Sequence, residues 1–247
     1  MIRGYESISV RRKKDTSKAV FYFILKIIVI TTVLYFIITN FFLVSFQIKS
    51  ISMEPNLEQE ERILASPFVY GISLPFSDFR GISKPSRGDL IVITPPYYTE
   101  DLAIQTVFDP VIRFFTFQSV NPVKDKAGKD IGRFIVKRII GIPGDTVKMN
   151  QFMAYIMPKN KESFYLESEI IPIKYFIKTD NKVDGWEEKF PFSGKFEEII
   201  LKEDEYFVLG DNRPFSSDSR SWGIVPYDQI IGKVIFRYWP LEKFGSL

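Results

Sequence analysis

Apolar and polar positions divide this 247-residue chain into three zones. Residues 1–19 are polar and basic and show no apolar period. From Ala19 to Ile48 nearly every position is apolar, with Lys26 the one charge inside. Its uncharged part, Ile27 to Ile48, has 22 residues. As a helix rising ~1.5 Å per residue it would extend about 33 Å, enough for a hydrocarbon core of about 30 Å. The pattern predicts a transmembrane helix over 20–48, with Lys26 reaching back to the interface. A cleaved signal peptide would have an apolar region of about 7–15 residues ending in small side chains. This one is longer and ends Phe46-Gln47-Ile48-Lys49, so a retained anchor is expected.

From residue 49 onward, short apolar runs alternate with charged, Pro and Gly breaks. Leu90–Ile93, Phe134–Ile140, Phe152–Met157, Ile170–Ile177, Ile199–Leu201, Tyr206–Leu209 and Ile230–Trp239 each read as a strand. The expectation is a mainly β, antiparallel body over 49–247, with about 146–204 as a smaller inserted β subdomain. Thr99 could cap a helix from Glu100 to Phe117, although Pro110 argues against an unbroken one. Its apolar side would serve core packing or an interfacial membrane contact.

One strand is unusual. In Phe134–Ile140 a period of two puts Ile135, Lys137 and Ile139 on one face and Phe134, Val136, Arg138 and Ile140 on the other. A lysine among isoleucines loses hydration, which disfavours its charged form and lowers its pKa from a reference of about 10.4. A neutral amine near pH 7 is a general base. The alternative is that Lys137 extends to water and its stem covers the core.

Composition narrows the chemistry. The chain has no His and no Cys. That excludes a Ser-His-Asp triad, a zincin helix, a thiol nucleophile and thiolate metal sites. If the chain is an enzyme, its base is then Lys, Asp or Glu, with Ser or Thr as the expected nucleophile. A hard cation on carboxylates stays open, although no carboxylates cluster at ligand spacing. The net charge of +3 is uneven, since residues 1–19 hold six Lys or Arg against Glu6 and Asp15. The body is near neutral, so a nucleic-acid partner is not expected. Positive charge before the span places the amino terminus in the cytoplasm and the body on the far side.

Four stretches give the pattern an identity: SISMEPNL at 50–57, RGDLIVI at 87–93, FIVKRIIGIPGD at 134–145 and GDNRPFSSDSRSWG at 210–223. In this order, behind one amino-terminal span, they resemble the bacterial type I signal peptidases, or leader peptidases. The ending IIGKVIFRYWP at 230–240 fits as well. The resemblance implies a mainly β, signal-peptidase-like catalytic core with a smaller β region. It implies a membrane serine endopeptidase that removes signal peptides from exported preproteins bearing small residues at the first and third positions before the cut. Ser52 would be the nucleophile and Lys137 the base. The Ser52 N–H and the Ser50 hydroxyl would hold the oxyanion, and Ser216 would orient the lysine. Asp218 and Arg220, with Gly210, Asp211 and Asn212, would support the loop. Ile135 and Val136 would accept the substrate as an added strand. No cofactor and no metal are implied. The expected partners are preproteins and membrane lipid, the expected state is a monomer, and the expected place is the inner membrane, crossed once. Phe215 and Asn56 depart from the family, which often has asparagine and threonine there. A self-cleaving repressor-type Ser/Lys protease, or an inactive tethered β scaffold, is the alternative.

Overall fold

The structure, a computed structural model, describes residues 3–38, 42–74, 77–96, 134–179 and 194–247. The helix predicted from Thr99 lies outside them. One long helix, α1, spans Arg3–Ile37, and its apolar window is Lys18–Tyr35. The basic segment therefore belongs to the same helix as the apolar one.

The predicted helix over 20–48 is corrected at its end. Val44–Gln47 form strand β1, not helix, and Ile48 is buried in the body. The cause is visible in the side chains: Phe46 and Ile48 point into one cluster while Gln47 between them is exposed. That alternation suits a half-buried strand.

Strand β1 pairs antiparallel with β2 (Arg62–Ser66). Gly71–Leu74 (β3) and Ser77–Arg80 (β4) form a separate two-stranded hairpin. Next come β5 (Leu90–Ile93), β6 (Ile135–Gly141), β7 (Thr146–Asn150), β8 (Met153–Met157) and β9 (Tyr165–Leu166). These are followed by β10 (Phe196–Ile200), β11 (Glu205–Leu209), β12 (Val225–Pro226), β13 (Ile230–Trp239) and β14 (Gly245–Ser246). The large sheet has eight strands in the order β1-β2-β13-β5-β6-β11-β12, with β14 also on β13. A second sheet of four strands runs β10-β7-β8-β9.

Every residue of β5 is buried because the sheet is covered on both faces there. Leu90 and Val92 pack with Ile48, Met53, Leu57 and Ile63, while Ile91 and Ile93 pack with Ile139, Tyr206 and Val208. A run apolar at every position is what burial on two faces requires. A third cluster, from Ile140 and Phe207 to Val147 and Ile156, joins the two sheets.

The run Ile170–Ile177 is not a strand, and this too is a correction. Glu167–Ile170 is a short helix, and the chain then continues irregularly to Lys178. Pro172 has no N–H to give a ladder. The Phe176 backbone instead finds its partners in the Asn56 side chain, which donates to its carbonyl at 2.7 Å and accepts from its N–H at 3.1 Å.

Candidate active site

The turn Ile51–Met53 carries Ser52, and it is pinned from below by Met53 and Leu57, both buried against β5. Lys137 enters from β6, where it is paired with Ile91. Eighty-five residues apart in sequence, the two side chains meet: Lys137 Nζ lies 2.8 Å from Ser52 Oγ. Lys137 is 3% exposed and Ser52 6%. The Ser50 hydroxyl, on the exposed side, is 3.0 Å from Ser52 Oγ.

Burial pushes the Lys137 amine down to about 8. Asp218 and Asp211 oppose that shift, and Arg220 assists it. The opposition is weak for a structural reason. Asp218 is committed to Arg220, whose Nε is 2.7 Å and Nη2 2.8 Å from its carboxylate oxygens, and it also accepts from the Gly210 N–H. Asp211 is committed to Arg138 by two bonds of 2.8 and 2.7 Å. With both carboxylates neutralised, neither holds a proton on the amine. Burial disfavours the charge on Asp218, but Arg220, Lys137 and the Gly210 N–H hold its carboxyl below the usual range.

The loop 210–223 thus folds on buried ion pairs. Arg220 also donates to the Arg213 and Ser216 carbonyls. Gly210 is needed for close approach: a Cβ there would overlap the Ser216 hydroxyl and the Ser52 carbonyl oxygen. Asn212 reaches the serine turn itself, donating from its backbone N–H to the Ser52 carbonyl at 3.0 Å. Ser216 is buried, but its hydroxyl has no hydrogen-bond partner in the structure, so the expected bond to Lys137 is not formed. Ile135 and Val136 pair with Ile93 and Val92 on one edge. On the other edge β11 pairs with β6 only through Arg138, Ile139 and Gly141.

Three supports carried no local sequence signal. Arg213 and Glu167, both fully buried, form a two-point ion pair at 2.7 and 2.6 Å that ties the loop to the small sheet. Burial opposes the charge on Glu167, yet Arg213, the Ala154 N–H and Tyr175 keep its carboxyl below the usual range. Lys178 accepts from the Arg213 N–H and donates to the Asp211 carbonyl, both at 2.9 Å. Arg237 donates to the Asn56 carbonyl and to Glu61, bracing the end of the serine loop.

A serine hydroxyl against a dehydrated amine can act as a nucleophile with its base, which is the chemistry of a serine hydrolase without histidine. Comparison with known proteins makes the class specific. The family model described as signal peptidase, peptidase S26, matches residues 22–239. A signal peptidase I of Leptolyngbya laminosa is 31% identical, over 81% of this chain and 70% of that one. A probable signal peptidase I-2 of Synechocystis is 26% identical, over 81% of this chain and 65% of that one. The chain therefore spans about two thirds of the length of these relatives. A crystal structure of a signal peptidase I from Enterococcus faecalis aligns with a TM-score of 0.34 at 22% identity, over 62% of this chain and 98% of that chain. The chain belongs to the signal peptidase family, peptidase S26, a membrane-associated family of serine endopeptidases that remove signal peptides.

Proposed function

We propose that this protein cleaves signal peptides from exported preproteins with Ser52 as nucleophile and Lys137 as general base. The observation that carries the reading is the 2.8 Å approach of Lys137 Nζ to Ser52 Oγ between two buried side chains. The neutral amine accepts the hydroxyl proton as Ser52 Oγ bonds the scissile carbonyl carbon. The carbonyl electron pair moves to oxygen, giving a tetrahedral oxyanion. Lys137 then gives its proton to the leaving amine as the C–N bond breaks. In deacylation it takes a proton from water, whose oxygen attacks the ester carbon, and returns it to Ser52. The Ser52 N–H and the Ser50 hydroxyl are the donors for the oxyanion. Removing one such donor costs about 3 kcal/mol of transition-state stabilisation.

The substrate lies as an added strand along the edge of Ile135–Lys137 that no strand pairs among the described residues. That edge supplies main-chain donors and acceptors beside the dyad, and alternate substrate side chains then face shallow sites that favour small residues at the first and third positions before the cut. The protein acts as a monomer held in the inner membrane by α1, with its amino terminus in the cytoplasm and its β body across the bilayer, close to lipid.

Replacing Ser52 by Ala, or Lys137 by Met, is expected to lower preprotein cleavage at least about a thousandfold, as loss of a nucleophile or base does. Both variants remain folded by circular dichroism and membrane-bound. Normal processing by either variant contradicts the assignment.

A further inference from the structure

We infer that Asn212 is a positioning residue for the oxyanion: it fixes the Ile51–Ser52 peptide so that the Ser52 N–H faces the substrate carbonyl. The inference rests on the reading of Ser52 as nucleophile, and it adds a residue whose role there is geometric. Asn212 grips the serine turn at two adjacent carbonyls. Its backbone N–H donates to the Ser52 carbonyl at 3.0 Å, and its side-chain Nδ2 donates to the Ile51 carbonyl at 3.1 Å.

The consequence follows from peptide planarity. In a trans peptide the C=O of one residue and the N–H of the next point in opposite directions. The cis bonds among the described residues are Glu54-Pro55 and Trp239-Pro240, so the Ile51–Ser52 bond is trans. Holding the Ile51 carbonyl towards the 210–223 loop therefore turns the Ser52 N–H away from that loop. The side-chain bond fixes this orientation in a turn of only three residues, where the Glu54 N–H gives the same carbonyl a longer bond of 3.2 Å.

Two further observations fit a donor and nothing else. The Asn212 side chain is buried, and its Oδ1 has no hydrogen-bond partner. A buried acceptor left unpaired is costly, so the amide is kept for its Nδ2. The opposite amide orientation would set Oδ1 against the Ile51 carbonyl oxygen, two acceptors face to face. Asn212 is itself immobilised, since Lys178 bonds the backbone on both sides of it, at Asp211 and Arg213.

The test compares two ligands of one signal-peptide sequence, a peptide aldehyde and the matching peptide alcohol. Ser52 Oγ bonds the aldehyde carbon, the carbonyl pair becomes an oxyanion, and the hydroxyl proton goes to Lys137. The alcohol occupies the site without that charge. For Asn212→Ala in the full chain, kcat should fall about tenfold to a hundredfold, within the size of one lost donor, with KM nearly unchanged. Aldehyde affinity should fall by a similar factor and alcohol affinity should not. The acid limb of the pH profile should stay where it is, which separates this role from an effect on Lys137. Asn212→Leu keeps the volume and removes the donor without adding a charge, and it gives the same readout if Asn212→Ala does not fold. An unchanged ratio of aldehyde to alcohol affinity overturns the inference. Ser52→Ala, run in parallel, separates the two readings: a dead Ser52→Ala beside an unaffected Asn212→Ala removes only the role of Asn212, whereas an active Ser52→Ala removes the nucleophile and this inference with it.

Discussion

At the scale of single residues, the account turns on what burial does to one amine. The folded pKa of Lys137, about 8, lies below the unfolded value of about 10.4. Between those values the unfolded chain binds more protons, so the contribution of this group to stability rises with pH across that window. Below about pH 8 the full penalty of burying a charge is present. Lys137→Met removes it. The variant should be more stable than the parent by up to about 3 kcal/mol at pH 7, with the gap closing towards pH 10, in urea titrations at both values. An equal difference at the two pH values would show that the lysine is not strained by its proton. The lysine itself was legible in sequence because a charge in the middle of an apolar run is conspicuous. The serine was not, since Ser52 sits in a short turn whose composition is ordinary, and only the four motifs in order single it out. Ser216 is likewise singled out only by the resemblance; it is buried, and its hydroxyl has no hydrogen-bond partner in the structure.

At the scale of elements, the loop after β11 is an extended scaffold built on charges. Arg213 of this loop is answered by Glu167, 46 residues earlier and next to the small sheet. No local period could announce that pair, because its two halves lie on elements that come together only in the folded state. Removing one partner of a buried pair leaves a bare charge in a dry interior, which costs about 3–5 kcal/mol. Glu167→Ala should therefore lower the thermal midpoint sharply and loosen the 210–223 loop, seen as faster amide exchange there. A midpoint within a degree of the parent would contradict the pair's role. Strand content was legible where apolar runs are short and bounded by breakers, as in β5 and β11. It was misread in two places. The strand β1 follows an apolar span, and its Val44, Phe46 alternation was absorbed into the helix. The run Ile170–Ile177 is as apolar as a strand, but Phe176 is 75% exposed and its backbone is satisfied by a side chain.

At the scale of the whole molecule, one helix among the described residues is long and apolar enough to cross a membrane, and it precedes a body whose sheet starts at β1, the strand just before Ser52. The β class was legible because antiparallel strands carry their signal locally. The order of strands was not, since β13 sits between β2 and β5 and those contacts span the chain. Protease added outside spheroplasts should cut the β body and leave the amino-terminal basic segment protected; the reverse pattern would invert the proposed orientation. The most direct test of the central claim is the titration of Lys137 in the folded, full-length protein, followed by the NMR shift of lysine 13Cε and assigned with Lys137→Met. The account predicts a midpoint at about pH 8. A midpoint at the ordinary lysine value, above about pH 10, would leave a charged amine beside Ser52 and contradict it.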